Sequence, residues 1–243
     1  MRCKVKILQN PGTFETLQTV EDLKKQLLVI EMAGRTSYQS QRGEITQESA
    51  ERFIRMLIRA GHYSVLEHSV MTVKFFGCSR GFTHELVRHR LSAFTQESTR
   101  YVDYAKGEDE PDLERFQLQC VLPAHRNIAE RIAIGDDEYL SPVNMLELIE
   151  RYYRALRKAG WRAEDARQIL PIATESEIVV SSNFRQWRHI FALRTAKDAH
   201  WEIRHVMCLL LEGVKRNLPV IVEDFEFGGR DKNGVPFYEY HGK

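Results

Sequence analysis

The chain has 243 residues, 43% of them hydrophobic and 28% charged, with 35 Lys and Arg balanced by 34 Asp and Glu. A net charge of +1 argues against a generally basic nucleic-acid binder, so any cationic focus must be local. No run of eighteen apolar residues occurs, and the start, MRCKVKILQN, lacks the apolar region of a signal peptide, which leads us to expect a soluble cytoplasmic protein with no membrane partner.

Alternation in CKVKILQN predicts a first strand, turned by Pro11-Gly12. The spacing in TVEDLKKQLLVIEMAGR predicts a helix ending at Gly34. A second helix is expected in TQESAERFIRMLIRAGH, capped by Thr46, with Phe53, Met56, Leu57 and Ala60 as its apolar stripe. SVMTVKFFG reads as a strand, residues 79 to 90 as a short helix that delivers Arg88 near its end, and GEDEPDLERF as a polar loop before a strand in QLQCVLP. SPVNMLELIERYYRALRKAG has a Ser-Pro start and a Gly stop, so a helix is predicted there. WRAEDARQILP predicts a short helix closed by Pro171, and SEIVVSSNF a strand. Helices follow at 184 to 194 and 198 to 217, the latter with Ile203, Val206, Met207, Leu210 and Val214 on one face. From about residue 228 the ending is turn-rich and is expected to be irregular and loosely held. Without a repeat or linker, the economical expectation is one α+β domain spanning residues 1–243.

The cationic focus is RHRLSAFTQESTRY, residues 88 to 101. On a helix Arg88 and Arg90 would point about 200° apart, so they serve one ligand only if the helix stops there. Ser92, Thr95, Gln96 and Ser98 favour a loop, which could curl guanidiniums and hydroxyls around an anion. A solvated loop with Glu85 and Glu97 as ion-pair partners is the plainer alternative. In NFRQWRHIFALR, residues Trp187, Ile190, Phe191 and Arg194 share one helix face, carrying a guanidinium along an apolar stripe. Such a cation needs a carboxylate or an anionic ligand, unless its stem reaches along the core to water. Asn183 and Arg185 could point donors at the same anion.

Other candidates carry less. His84 and His89 in HELVRH are five apart, about 140° around a helix, which does not match the i, i+4 spacing of zinc ligands, and no metal is expected. His62 and His68 read as capping or backbone-bonded residues. Cys3, Cys78, Cys120 and Cys208 are scattered without CxxC spacing and read as reduced thiols, with Cys208 packed at the edge of a helix face. There is no GxGxxG, GxxxxGK[ST] or GxSxG.

Arg88-His89-Arg90, seven residues, then Ser98 form a signature that resembles flavin-dependent thymidylate synthase. GHYSVLEH before a strand, ARQILP, NFRQWRHIFALR and AHWEIR resemble that family's blocks in the same order, from about Gly34 to about Val214. The resemblance implies reductive methylation of dUMP to dTMP, a methyltransferase reaction. Methylenetetrahydrofolate would supply the carbon, NADPH the electrons and bound FAD the hydride relay. It implies an α+β fold with a central, mostly antiparallel sheet flanked by helices, in a homotetramer with shared active sites. Flavin contacts would come from Ser64, Arg88, His89, Arg90, Gln96, Asn183, Arg185 and His189. The nucleotide would meet Glu85, Leu86, Val87, Arg88, Gln96, Glu97, Ser98, Thr99, Arg100 and Arg167. Arg194 would contact the uracil ring and favour its ionised form, so no protein thiol need attack. Glu85 and His200 stand where relatives carry glutamine, Gln96 where they often carry glutamate, and Asp198 where some carry histidine. Glu85 could instead orient Arg88 or His89, three and four residues on. The competing class is a non-catalytic nucleotide- or RNA-binding module using the basic 88–100 loop, with Phe94 and Tyr101 as stacking aromatics.

Overall fold

The computed structural model describes residues 5–9, 12–39, 43–105 and 117–242. Pro11 of the first expected turn, the polar stretch 107–116 and Cys3 lie outside them. The elements in the first half are β1 (Lys6–Leu8), β2 (Thr13–Thr16), α1 (Val20–Tyr38), α2 (Gln47–Ala60), β3 (Val70–Ser79), α3 (Arg80–Leu86), β4 (Ser92–Gln96) and β5 (Gln119–Val121). The second half has β6 (Ile132–Gly135), β7 (Glu138–Leu140), α4 (Pro142–Lys158), α5 (Ala163–Ala166), β8 (Glu175–Asn183), α6 (Phe184–Arg194), α7 (Trp201–Asn217), β9 (Phe225–Arg230) and β10 (Pro236–Tyr240).

The largest sheet has the strand order β2–β3–β8–β4. Thr72 Oγ1 meets Ser181 Oγ at 2.8 Å and Gly77 N donates to Glu175 Oε1 at 2.8 Å, so β3 and β8 run antiparallel. Ser92 Oγ donates to Ser182 Oγ, and Glu97 N to Glu177 O, which orients β4 against β8 in the same way. Strands β1 and β5 pair in parallel. Along β8 every second residue is buried, from Ser176 through Ile178 and Val180 to Ser182, as a half-covered strand requires.

The described residues form two compact units. The first comprises 1–11, 76–84 and 96–178, and the second 12–75, 85–95 and 179–243. In the first unit Tyr104, Leu118, Cys120, Leu146, Tyr153 and Leu156 make the core. Ser141 caps α4 by accepting from Asn144 N, with Pro142 in the first turn, as its sequence foretells.

In the second unit α1 does not stop at Gly34; it continues to Tyr38 and ends at Gln39 in the left-handed region (φ 48°). The glycine serves packing instead of termination. The Phe53 ring of α2 lies where a β-carbon at position 34 would project. On α2 the Thr46 cap is present, but the buried stripe is Ala50, Ile54 and Leu57, while Met56 is half exposed. The expected stripe is thus rotated, because Phe53 packs sideways against Gly34 rather than inward.

Three further expectations change. The helix over 79–90 ends at Leu86, and α7 begins at Trp201 rather than at 198. The β6–β7 hairpin was not foreseen; its turn rests on Asp137 at φ 57°, a conformation aspartate tolerates. The C-terminal segment is ordered: β9 and β10 form an antiparallel hairpin with Phe225, Phe237 and Tyr238 buried. Buried Arg188 anchors it, donating to both Asp224 carboxylate oxygens (2.8 and 2.5 Å), with Tyr63, Phe225 and Tyr240 around the guanidinium.

Helix α6 is held by Trp187, fully buried, whose indole N–H donates to Met71 O at 2.9 Å and whose ring stacks on Phe191. Trp187→Phe leaves that carbonyl without its donor and opens a void, costing about 2–3 kcal/mol. Urea denaturation measures this; an unchanged midpoint contradicts the anchoring.

Candidate active site

Helix α3 stops at Leu86, whose side chain is fully buried, and Leu86 O accepts from His89 N in a turn. His89 goes inward while Arg88, Arg90 and Leu91 are exposed, so the helix geometry that would separate the two arginines does not apply. Val87 is partly exposed beside them.

Inside the second unit, His89 meets the end of α6. Arg194 Nε donates to His89 Nε2 at 3.0 Å, Arg194 Nη1 to Glu85 Oε2 at 2.7 Å, and Arg194 Nη2 to Glu85 O at 3.2 Å. The arginine expected on the apolar stripe is therefore there, behind buried Trp187, Ile190 and Phe191, and it is paired. Accepting from a guanidinium fixes His89 as the neutral tautomer with its proton on Nδ1. Burial, then the charges of Arg194 and His189, push its pKa down to about 4. His89 and His189 pack edge to face, with ring centroids 6.0 Å apart.

Glu85 does not pair with Arg88 as helical spacing suggests, because the helix ends first. Its other carboxylate oxygen lies 3.4 Å from His200 Nδ1, a partner that sequence spacing gives no means of finding. Asp198 is exposed.

On the same unit a cavity of about 410 Å³ is lined by Glu67, Leu91, Asn183, Arg185, Gln186 and His189. Asn183 Oδ1 accepts from Gln186 N and so caps α6, leaving its amide NH₂ as a donor. Arg185 pairs with Glu67 at 2.5 Å. Ser64 is exposed on the 3-10 turn Tyr63–His68, which also carries Glu67.

The first unit gathers the other candidates. Ser98 Oγ accepts from Arg100 N, and Ser98 O from Tyr101 N and Val102 N, in a tight turn. Arg100 Nε donates to Glu164 at 2.6 Å, and Arg167 donates to Thr99 Oγ1 at 3.2 Å and to Glu164 O. Glu164, unremarked in the sequence, thus ties Arg100 and Arg167 to one spot. Gln96 donates to Thr83 and Ser176, and Glu97 accepts from Tyr104 at 2.8 Å. Below this turn, burial and then the Glu97 and Glu177 charges push the Glu175 carboxyl up to about 7, against the opposing Gly77 N–H and Lys6.

Cys78, Cys120 and Cys208 are fully buried, and burial pushes the Cys120 and Cys208 thiols up to about 12. Among the described residues no cluster of His, Cys, Asp and Glu is arranged to hold a metal ion, and no helix is long and apolar enough to cross a membrane.

The family model for thymidylate synthase complementing proteins matches residues 19–220, most of the chain. A flavin-dependent thymidylate synthase of Corynebacterium diphtheriae is 34% identical over 207 residues, 82% of this chain and 78% of the relative. The chain belongs to the flavin-dependent thymidylate synthase family. Among solved structures the fold is similar to the UMP/dUMP methylase PolB from Streptomyces cacaoi bound with 5-bromo-UMP, at TM-score 0.63 and 22% identity over 89% of this chain and 94% of that one. It is also similar to thymidylate synthase X from Helicobacter pylori with FAD and dUMP, at TM-score 0.61 and 22% identity over 88% and 98%. Arg88 to Ser98 lies within the matched residues, in the stretch that turns His89 inward and both arginines outward.

Two titrations check the electrostatics. His89 binds its proton near pH 4 when folded and near 6.5 when unfolded, so the unfolded chain holds more protons in between. Stability attributable to this group falls as pH drops from about 6.5 toward 4, and an imidazole NMR midpoint near 6.5 contradicts the pairing. Glu175 has the opposite sign: its raised pKa costs stability as pH rises from about 4.5 to about 7. Glu175→Gln is therefore expected to raise the melting temperature at pH 8 and to give no gain below about pH 4.5.

Proposed function

We propose that this chain converts dUMP to dTMP, with methylenetetrahydrofolate as carbon donor, NADPH as reductant and FAD between them. The reading carries a cytoplasmic homotetramer with shared active sites. The observation that carries it is the Arg194 guanidinium, held half-buried at the end of α6 by Glu85 and by His89 of the Arg-His-Arg motif.

The cavity fits part of a flavin dinucleotide. Its lining offers the Arg185 cation, the Asn183 and Gln186 amides, the His189 ring and an apolar wall at Leu91. These residues, with exposed Arg88 and Arg90, would hold the pyrophosphate and ring edges, and Ser64 would add a contact from a neighbouring copy. Bound FAD supplies hydride transfer. Among the protein's own groups, Ser98, Thr99, Arg100 and Arg167 would bind the nucleotide phosphate, by guanidinium forks and turn donors. Gln96, Glu97 and the backbone at Leu86 and Val87 would border it.

Arg194 would face the pyrimidine ring. A partly desolvated guanidinium favours negative charge on that ring far more than water does, and so enriches the carbon to be methylated. That removes the need for a thiolate, in keeping with thiols that burial keeps protonated. Among the described residues no base is bonded to the Ser98 hydroxyl, whose oxygen accepts from Arg100 N, and Ser98 serves binding.

Purified protein is expected to show flavin absorption that dUMP perturbs; a colourless protein that takes up no FAD overturns the reading and favours a nucleotide- or RNA-binding module. Arg194→Ala should keep FAD yet lower dTMP formation at least 10²–10³-fold, about the loss of one preorganised donor.

A further inference from the structure

The three donor nitrogens of Arg194 are already engaged, two of them by Glu85 and one by His89. The carboxylate contact is a close ion pair at 2.7 Å, with the arginine side chain 22% and the glutamate 30% exposed. A pyrimidine ring that reaches this guanidinium therefore meets an existing anion. If the ring were ionised while Glu85 stayed ionised, two negative charges would share one cation, which disfavours ionising both groups.

We propose that Glu85 takes the imide proton of the bound pyrimidine nucleotide and that His200 carries this proton between Glu85 and solvent. This rests on Arg194 facing the ring. In the step, the ring N–H bond breaks and its electron pair stays on the ring, while an O–H bond forms on Glu85. The negative charge moves from carboxylate to pyrimidine and Arg194 remains its counter-ion, so no additional charge is buried. The proton stays on Glu85 while the ring is ionised; when the product leaves, its imide takes a proton from water and Glu85 gives its own to solvent through His200, so the carboxylate is restored. His200 Nδ1 lies 3.4 Å from Glu85 Oε1 and its ring is about half exposed, so it touches both the carboxylate and water. His89 is unsuited to the task, because its Nε2 accepts from Arg194 and it resists a second proton. No other described carboxylate is bonded to this guanidinium.

The experiment uses FAD-loaded enzyme with dUMP labelled with ¹⁵N at the imide position. Bound to the wild type at pH 7.5, the label should show the chemical shift of a deprotonated imide. Bound to Glu85→Gln, with binding confirmed by the change in flavin absorption, it should keep its N–H signal, and kcat should fall about 10²-fold or more, as for loss of a general base. His200→Ala should slow turnover about tenfold, with recovery on adding imidazole. A Glu85→Gln enzyme within twofold of wild-type kcat and with the same label shift overturns the proposal, and a His200→Ala enzyme that imidazole does not restore removes the relay. Arg194→Lys separates the two layers. If it moves the label shift while Glu85→Gln does not, Arg194 faces the ring and the proton assignment is wrong. If neither variant moves it, the placement of Arg194 itself is wrong.

Discussion

One half-buried guanidinium with all three of its nitrogens engaged sets the terms for the second unit. Arg194 ends the apolar helix face of Trp187, Ile190 and Phe191, and its side chain, 22% exposed, needs partners for a charge so far withdrawn from water. The pairing draws in two chain segments. Glu85 supplies a carboxylate and a carbonyl from the last turn of α3, and His89 supplies a ring nitrogen from the segment that follows. His89 turns inward to accept while its neighbours Arg88 and Arg90 turn out, so two exposed cations are presented next to one half-buried one. The motif thus sets two outward cations around a single inward contact.

The scaffold keeps α6 in place by means that cost little at the site. Trp187 bonds to Met71 O in β3, and Arg188, one residue on, is buried in the opposite sense against Asp224 and three aromatic rings. Successive residues of one helix therefore lock it to the sheet and to the C-terminal hairpin, leaving Arg185, His189 and Arg194 for other work. A helix fixed at two faces can hold a guanidinium in position without strain in the arginine itself.

The sequence made the periodic parts legible. The Thr46 and Ser141 caps, the alternation of β8, the stripe through Arg194 and the buried face of α7 follow from spacing, and the structure contains them. What spacing hides is contact between distant segments. Gly34 reads as a stop and is a close-packing position for Phe53. Residues after 228 read as loose because turn residues dominate them, yet the anchoring charge is Arg188, about forty positions earlier. Glu164 gathers Arg100 and Arg167 without belonging to any motif. The Glu85–His200 contact joins two positions that read separately as departures from a family pattern.

That last contact bears on how the two departures should be weighed. A glutamate beside Arg194, taken alone, weakens the case for ring ionisation, since it neutralises the cation that would drive it. A histidine at 200, taken alone, is an exposed ring at the start of α7. Placed together they form a carboxylate with a cation on one side and a solvent-linked imidazole on the other. In that setting the carboxylate is a proton acceptor whose charge the arginine can exchange for that of a ring, and the arginine never loses a partner in the process. Neutralisation by Glu85 and activation by Arg194 then describe the same site before and after one proton moves.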